Sequence, residues 1–478
     1  MGFLKDLASL LMGTNTRASR LGYEAVEPSP TRRPIYISSR SEDAELPFQK
    51  RRALVSEARD QQRNFALAGF ALRKHLQFVS YYRFSAETPS REFNRLLENR
   101  VQAWKRRENC DVARRSNFDE LITIIESHRT VDGDVGVLRM ADGRLQIVEG
   151  DRIKNPPEVG EYLTTEDKRG ERWCGGVLTA RTGRARQYSI YRRTDSGAME
   201  FERTVEAQNF DLFAYRNRRD QVRGVSLFAP AVKMISYLYD GLDYALAKIK
   251  LEQMMGLVTT LDDGGSLADV ETTNPEQLDR QLRESFGSDL LHIALKSGED
   301  ARFMESHNPS QNFQSFCELV TRLIFSALDL PYSFFDGSKT NFYGSKGEFE
   351  QYLDTVEKKQ APTIETLNEW IFDWLLPNWL ADPQDELFGA LPAGWTLEDL
   401  RRDVGWRGSG LPYWRLFEYV KETQNAINGG LVDPFALADS FGESFSKNIE
   451  RIGEARKLAQ ESGVFLPYGE QTKVNVGL

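Results

Sequence analysis

Five carboxylates stand close together in the first third of the chain: Asp132, Asp134, Asp142, Glu149 and Asp151. Paired carboxylates can hold Mg²⁺ for phosphodiester cleavage. Asp132, Asp134, Glu149 and Asp151 therefore define one reading, a metal-dependent DNA nuclease. The local sequence offers another. Asp132-Gly and Asp142-Gly are turn dipeptides, and Glu149-Gly-Asp151 falls where a strand would end. Asp132-Gly-Asp134 is no calcium loop, because no Glu follows at the required position. The four histidines, His75, His128, His292 and His307, are far apart and lack the spacing of a metal site or of a base beside a nucleophile, so they read as structural. No phosphate-cradling Gly-rich signature or nucleophile elbow occurs, which disfavours a nucleotide-driven motor and an α/β-hydrolase. Cys317 sits beside Phe316 on the apolar side of a helical pattern and reads as core. The expectation is no enzyme, no bound metal and no cofactor.

The remaining chemistry is cationic. Basic clusters occur at Lys105-Arg106-Arg107, Arg114-Arg115, Arg181 to Arg193 and Arg216 to Arg223, all in the first half of the chain. Such runs usually form solvated faces. A polar segment, residues 336–347, combines three glycines with Lys339 and Lys346. Over all 478 residues, 62 basic and 71 acidic side chains leave a net charge of −9, which argues against a basic coat for nucleic acid. Hydrophobic residues make up 40%, enough for packed cores, and the length suits roughly three domains of about 150 residues. Mean hydropathy is −0.51, and no apolar run approaches the ~18 residues of a membrane span. Cys110, Cys174 and Cys317 are too few and too dispersed for a disulfide scaffold or a Cys-ligated zinc site. A soluble intracellular protein, or part of a particle assembled there, is expected.

These groups must be positioned by elements legible in the periodicity. Residues 1–12 suit a short amphipathic helix and 13–47 an extended arm. Helical spacing then runs from Lys50, over Glu92–Arg107 and over Phe118–His128. Period-two patterning predicts a hairpin closed at Asp142-Gly143, with further strands near Trp173–Thr179, Gln187–Arg192, Phe201–Val205 and Asp211–Tyr215. The first half is thus α+β. Beyond Pro230, the residues Val232, Ile235, Leu238, Leu242, Leu246 and Ile249 recur at steps of three and four, predicting a helix of about 25 residues. Strands are predicted at Leu257–Leu261 and Leu290–Leu295. A second long helix carries Phe313, Phe316, Leu319, Val320, Leu323, Ile324 and Ala327 and stops at Pro331. A third, Glu348–Trp374, should kink or split at Pro362. C-terminal helices are expected at about Pro412–Asn428 and Ser444–Ser462.

In this order the local residues resemble the lambda-like family of phage portal proteins. The matching stretches are Arg63-Asn64, Trp104 with Cys110-Asp111 and Phe118, Asp132-Gly-Asp134, and Gly143 through Asp151-Arg-Ile. Gly183-Arg and Tyr188 follow in register. The longest stretch is Arg219-Asp-Gln221-Val-Arg223-Gly224-Val-Ser226-Leu-Phe-Ala229-Pro230, and Leu330-Pro331-Tyr332 also fits. The resemblance spans roughly residues 50–380. The chain departs from the family pattern at Asn341-Phe-Tyr-Gly-Ser345-Lys346, where the family is Ser-rich, and at Val432-Asp433-Pro434, a reduced C-terminal signature.

The resemblance implies a mixed α+β, portal-like fold. Residues 1–47 would be an N-terminal arm, 48–228 an α+β wing, 229–255 the first stem helix and 256–309 a small α/β clip. Residues 310–335 would be the second stem helix, 336–347 the tunnel loop, 348–400 a wing-spanning helix with the wing's completion, and 401–478 a helical crown. It further implies a virion protein, assembled in the host cytoplasm as a ring of about twelve subunits at one capsid vertex. Its channel would pass double-stranded DNA, with Lys339, Thr340, Asn341, Phe342, Tyr343 and Lys346 in the tunnel loop facing that DNA. Implied partners are the terminase large subunit, a head-completion or adaptor protein, the major capsid protein and a scaffold. Another virion adaptor protein is the remaining alternative.

Overall fold

The structure, a computed structural model, describes residues 40–253, 256–260, 291–295, 311–338, 342–408, 423–441 and 444–464. The expected N-terminal arm lies outside these residues except for its last few, as does most of the segment between the two predicted strands beyond residue 256. After a single helical turn at Glu42–Glu45, within the stretch expected to be an extended arm, come two helices, α1 (Phe48–Asn64) and α2 (Ala66–Val79), separated by Phe65 alone in extended conformation. In α3 (Arg91–Trp104), Phe93, Leu97, Val101 and Trp104 recur on one face and are all buried. Ser90 caps it. This helix ends three residues before the predicted Arg107, and the chain resumes with one turn at Arg107–Cys110. Helix α4 (Phe118–Val131) starts at a reciprocal capping box between Asn117 and Glu120, which satisfies donors that would otherwise be orphaned.

The predicted strands form two antiparallel sheets. β2 (Asp134–Arg139) pairs with β3 (Leu145–Glu149) across the Asp142-Gly143 turn, and its other edge takes β8 (Phe210–Ala214). The second sheet is a meander of β4 (Arg172–Cys174), β5 (Val177–Thr179), β6 (Ala185–Arg193) and β7 (Met199–Glu206). β9 (Gly256–Thr260) and β10 (Leu291–Leu295) pair in parallel. One sheet has no counterpart in the sequence reading: β1 (Tyr82–Ala86) pairs with β11 (Val404–Gly408). Val404-Gly-Trp-Arg-Gly is short and carries two glycines. Its strand character comes from the distant partner and from Trp406, which packs on Phe84 and Phe118.

The long helices are α5 (Val232–Gln253), α6 (Gln311–Ser326) and α7 (Phe342–Trp370). Of the two expected effects of Pro362, the split does not occur: α7 runs through it as one helix. Its two ends are buried in different cores, Tyr352 and Val356 in one and Leu367 and Trp370 in the other. Packing on both sides offsets the roughly 3 kcal/mol cost of an interior proline. The departure comes later, as a π-helical turn at Ile371–Leu375, followed by α8 (Leu376–Ala381). That wide turn directly precedes Pro377, which has no N–H to give the preceding turn. Helices α9 (Pro434–Ser440) and α10 (Phe445–Glu461) close the described chain. The predicted helix at 412–428 lies outside the described residues up to 422.

Three apolar clusters hold these parts. The largest joins α3, α4 and the β2–β3–β8 sheet to the aromatic end of α7, through Trp104, Trp370, Trp379 and Trp406. The second joins α2 to the near ends of α5, α6 and α7, through Leu72, Ile235, Ile324 and Phe325. The third lies between the two antiparallel sheets.

His75 in α2 is fully buried and neither ring nitrogen has a hydrogen-bond partner. Burial, reinforced by the positive charges of Lys359 and Arg129, holds its pKa well below the ordinary 6.5. The unfolded chain therefore binds a proton that the folded chain refuses, and stability falls as pH drops below about 6.5, by up to about 1.4 kcal/mol per pH unit. His75→Leu removes this term. Denaturation midpoints of wild type and variant, measured between neutral pH and pH 5, should diverge in favour of the variant as pH falls. Parallel curves would contradict it.

Candidate functional site

The segment that resembles the family most closely, Arg219–Pro230, connects β8 to α5, and its residues divide sharply by environment. Arg216, Arg218 and Arg219 are exposed, whereas Gln221, Arg223 and Ser226 are buried. The Arg223 guanidinium donates to both oxygens of Asp134, at 2.7 and 2.9 Å, and to the carbonyls of Gly150 (2.7 Å), Ile153 (2.9 Å) and Gly175. Asp134 is 0% exposed and is also paired with Arg51 of α1 at 2.9 Å. Its carboxylate accepts the Gly224 N–H at 2.9 Å, while Arg51 donates to the Gly224 carbonyl. Gln221 donates to the Arg223 carbonyl at 2.8 Å, and buried Asp43 accepts the Val222 and Arg223 amides. Burial alone would raise the pKa of Asp134; Arg223, Arg51 and the Gly224 amide overcome it and hold the group below its ordinary value.

Backbone approach at this junction leaves no room for side chains. Gly133 turns the chain from α4 into β2 with φ of +93°, and a Cβ on Gly224 would overlap the Gly133 carbonyl. Leu227 N–H donates to the Thr130 carbonyl at 3.0 Å, and Ser226 caps the Phe228 amide at 3.1 Å. The start of α5 is thus tied to α1, α4 and β2 before the helix leaves the body of the subunit.

The same junction accounts for the clustered carboxylates. Asp132 takes two 2.7 Å hydrogen bonds from Arg59 and one contact of 2.8 Å from His128. Asp151 and Glu149 pair with Arg193 at 2.7 and 3.3 Å, and with Arg59 at 3.4 and 3.6 Å. Asp142 closes its turn by accepting the Arg144 amide. The acids that would serve the nuclease reading are therefore the acceptor half of an arginine network. Among the described residues no three His, Cys, Asp or Glu side chains form a metal-binding group. Cys110 and Cys174 are buried, and burial pushes each thiol up to about 12; Cys317 is half-buried against the second core.

Helices α5 and α6 pack together, with Phe313 against Gly241. Near the body, Ile235 and Leu238 of α5 and Val320 and Ile324 of α6 are buried. Further along α5 the same stripe continues through Leu242 and Leu246, and these are uncovered, Leu246 being 55% exposed. Tyr237 and Tyr244 stand out beside them, Tyr244 at 77%. On α6 a second apolar row, Phe316, Leu319 and Leu323, recurs at three and four residues and is exposed along its length. Chance surface leucines do not line up in this way. Sequence periodicity located the stripe but did not reveal that the described residues cover only its first half.

Of the loop residues singled out from sequence, Lys339, Thr340 and Asn341 lie outside the described residues. Phe342 and Tyr343 form the first turn of α7, which begins six residues earlier than predicted. Lys346 lies in that helix and pairs with Glu350 at 3.5 Å, the ordinary i,i+4 arrangement. Ser338 N–H donates to Asp336, an Asx-type turn that leads into the segment.

The junction yields a direct test. Asp134→Asn leaves Arg51 and Arg223 buried without a counter-charge and should cost about 3–5 kcal/mol of stability. Chemical denaturation reads this loss. In wild type the same contribution is present above the ordinary carboxylate value and fades as pH falls below it. A variant within about 0.5 kcal/mol of wild type would remove the junction from the account.

Comparison with known proteins agrees with the resemblance. Residues 31–360 match the family model described as "Phage portal protein, lambda family". No curated protein matches the chain. Among solved structures, it is similar to the neck of a native GTA particle computed with C12 symmetry, at 13% identity and a TM-score of 0.45, covering 81% of this chain and 93% of that one. A neck of an empty GTA particle computed with C6 symmetry gives 13% and 0.46, covering 81% and 94%. A virion of a native gene transfer agent particle gives 12% and 0.40, covering 82% and 93%. With the family model matching well over half its length, the chain belongs to the lambda family of phage portal proteins.

Proposed function

We propose that this chain assembles into a closed ring of about twelve copies at one capsid vertex, surrounding an axial channel for double-stranded DNA. The carrying observation is the pair of apolar rows that α5 and α6 leave uncovered. Among the described residues nothing covers Leu242, Leu246, Leu319 and Leu323. Neighbouring copies related by rotation would cover them with the same helices, a heterologous contact that closes when the rotation divides a full turn. In this reading α5 and α6 are the stem, residues 256–309 the clip that meets the terminase large subunit and then a head-completion protein, and residues 401–478 the crown. Residues 48–228 with 348–400 would form the wing. Family membership supports a structural conduit that docks an ATP-driven partner, works inside the virion and performs no chemistry of its own. The ring would be built in the host cytoplasm with scaffold and major capsid protein.

The net charge of −9 suits such a channel. Tight multi-phosphate contact would stall passage, so a conduit benefits from repulsion with few cations near the DNA. Residues 336–347 would supply those cations. With Lys346 paired to Glu350, Lys339 is the principal charge of this loop toward phosphate, beside the polar and aromatic residues from Thr340 to Tyr343.

Two outcomes follow. Leu246→Asp combined with Leu319→Asp should abolish ring formation while leaving the circular dichroism spectrum and melting temperature near wild type, since both side chains are exposed in the subunit. Sedimentation velocity distinguishes subunits from rings, and intact rings in this variant would contradict the assigned interface. Lys339→Ala with Lys346→Ala should lower packaged-DNA retention without affecting assembly, and unchanged packaging and retention would remove the loop from the mechanism.

A further inference from the structure

Between α1 and the β6–β7 sheet lies a cleft of about 660 Å³, a size typical of ligand sites. One wall is a single face of α1. Arg52, Ser56, Arg59 and Arg63 recur at steps of four, three and four residues, spread over about 16 Å of helix. Lys154 and Arg193 stand on the opposite wall, and Phe48 forms part of the floor with Lys154 Nζ 5.3 Å from its ring centre. The carboxylates at one end do not balance these charges. Asp132 is engaged by Arg59, and Asp151 and Glu149 by Arg59 and Arg193. Arg52, Arg63 and Lys154 have no carboxylate partner among the described residues. Burial pulls the Lys154 ammonium below its ordinary pKa; Asp151 opposes this, and Arg52 and Arg193 add to it.

We propose that this cleft binds a phosphate-bearing polyanion through Arg52, Lys154 and Arg63. Guanidinium groups and an ammonium lining one cleft suit phosphates, whose tetrahedral oxygens can accept from more than one cation. A carboxylate offers two coplanar oxygens, and the cleft's own acids already take that role on Arg59 and Arg193. The extent of the α1 row favours an extended anion over a lone one. The ligand chemistry is shared by inorganic polyphosphate and by a nucleic-acid backbone. This site is distinct from the residues 336–347 assigned to the channel.

The test is calorimetric titration of the full chain at low salt with inorganic tripolyphosphate and, separately, with a short DNA oligonucleotide. Arg52→Gln and Lys154→Gln serve as variants, and their melting temperatures should stay at the wild-type value because neither residue is ion-paired. Each substitution should weaken binding about tenfold. Such a loss for tripolyphosphate alone assigns the site to free polyphosphate, and a loss for the oligonucleotide assigns it to a nucleic-acid backbone. Absence of binding by both probes overturns the proposal. So does binding that both variants retain, or oligoglutamate of equal charge binding as tightly as tripolyphosphate.

Discussion

A carboxylate removed from water has to be paid for by fixed partners, and Asp134 is the point on which the described subunit turns. Arg223 and Arg51 supply two guanidiniums to one carboxylate. The excess positive charge is spread over the carbonyls of Gly150, Ile153, Gly175 and Gly224. These groups come from four pieces of chain: helix α1, the turn after β3, the β4–β5 turn, and the segment before α5. A buried pair of this kind adds little over an apolar contact of the same shape, but it cannot tolerate losing one member. It fixes register. We read it as a device that sets where α5 starts and in which direction it leaves the body.

That direction matters because α5 carries an apolar stripe longer than the subunit can cover. Ile235 and Leu238 are buried against α1, α2 and α6, and Leu242 and Leu246 are not. The second row on α6 is exposed along its length among the described residues. In the proposed ring, the base would set the angle between copies and the uncovered rows would supply the contact. Free energy withheld from the monomer in this way returns on assembly, at roughly 25 cal/mol for each Å² of apolar surface removed from water.

Much of this was legible in the sequence where local physics decides. The Asp142-Gly143 turn and the steps of three and four on α5 and α6 are local signals, and their elements appeared where expected. Elements whose cause is distant were not legible. β11 exists because Trp406 lies against Phe84 and Phe118, and α7 passes Pro362 because the stretches on either side of it are packed into different cores. The run Arg216–Arg223 reads as one basic cluster, yet its early arginines face solvent and its last is enclosed. Nothing local distinguishes them; the partner is Asp134, nearly ninety residues earlier. For the same reason the sequence left the carboxylates near Asp134 between turn acids and metal ligands, with no sign of the arginines that pair them.

The central claim is that the uncovered rows of α5 and α6 close a ring. The most direct measurement is the mass and symmetry of the purified protein, by mass photometry together with negative-stain class averages. The account predicts particles of about twelve times the 54.6 kDa subunit, with rotational symmetry and a central hole. A stable dimer or tetramer without a hole would contradict it.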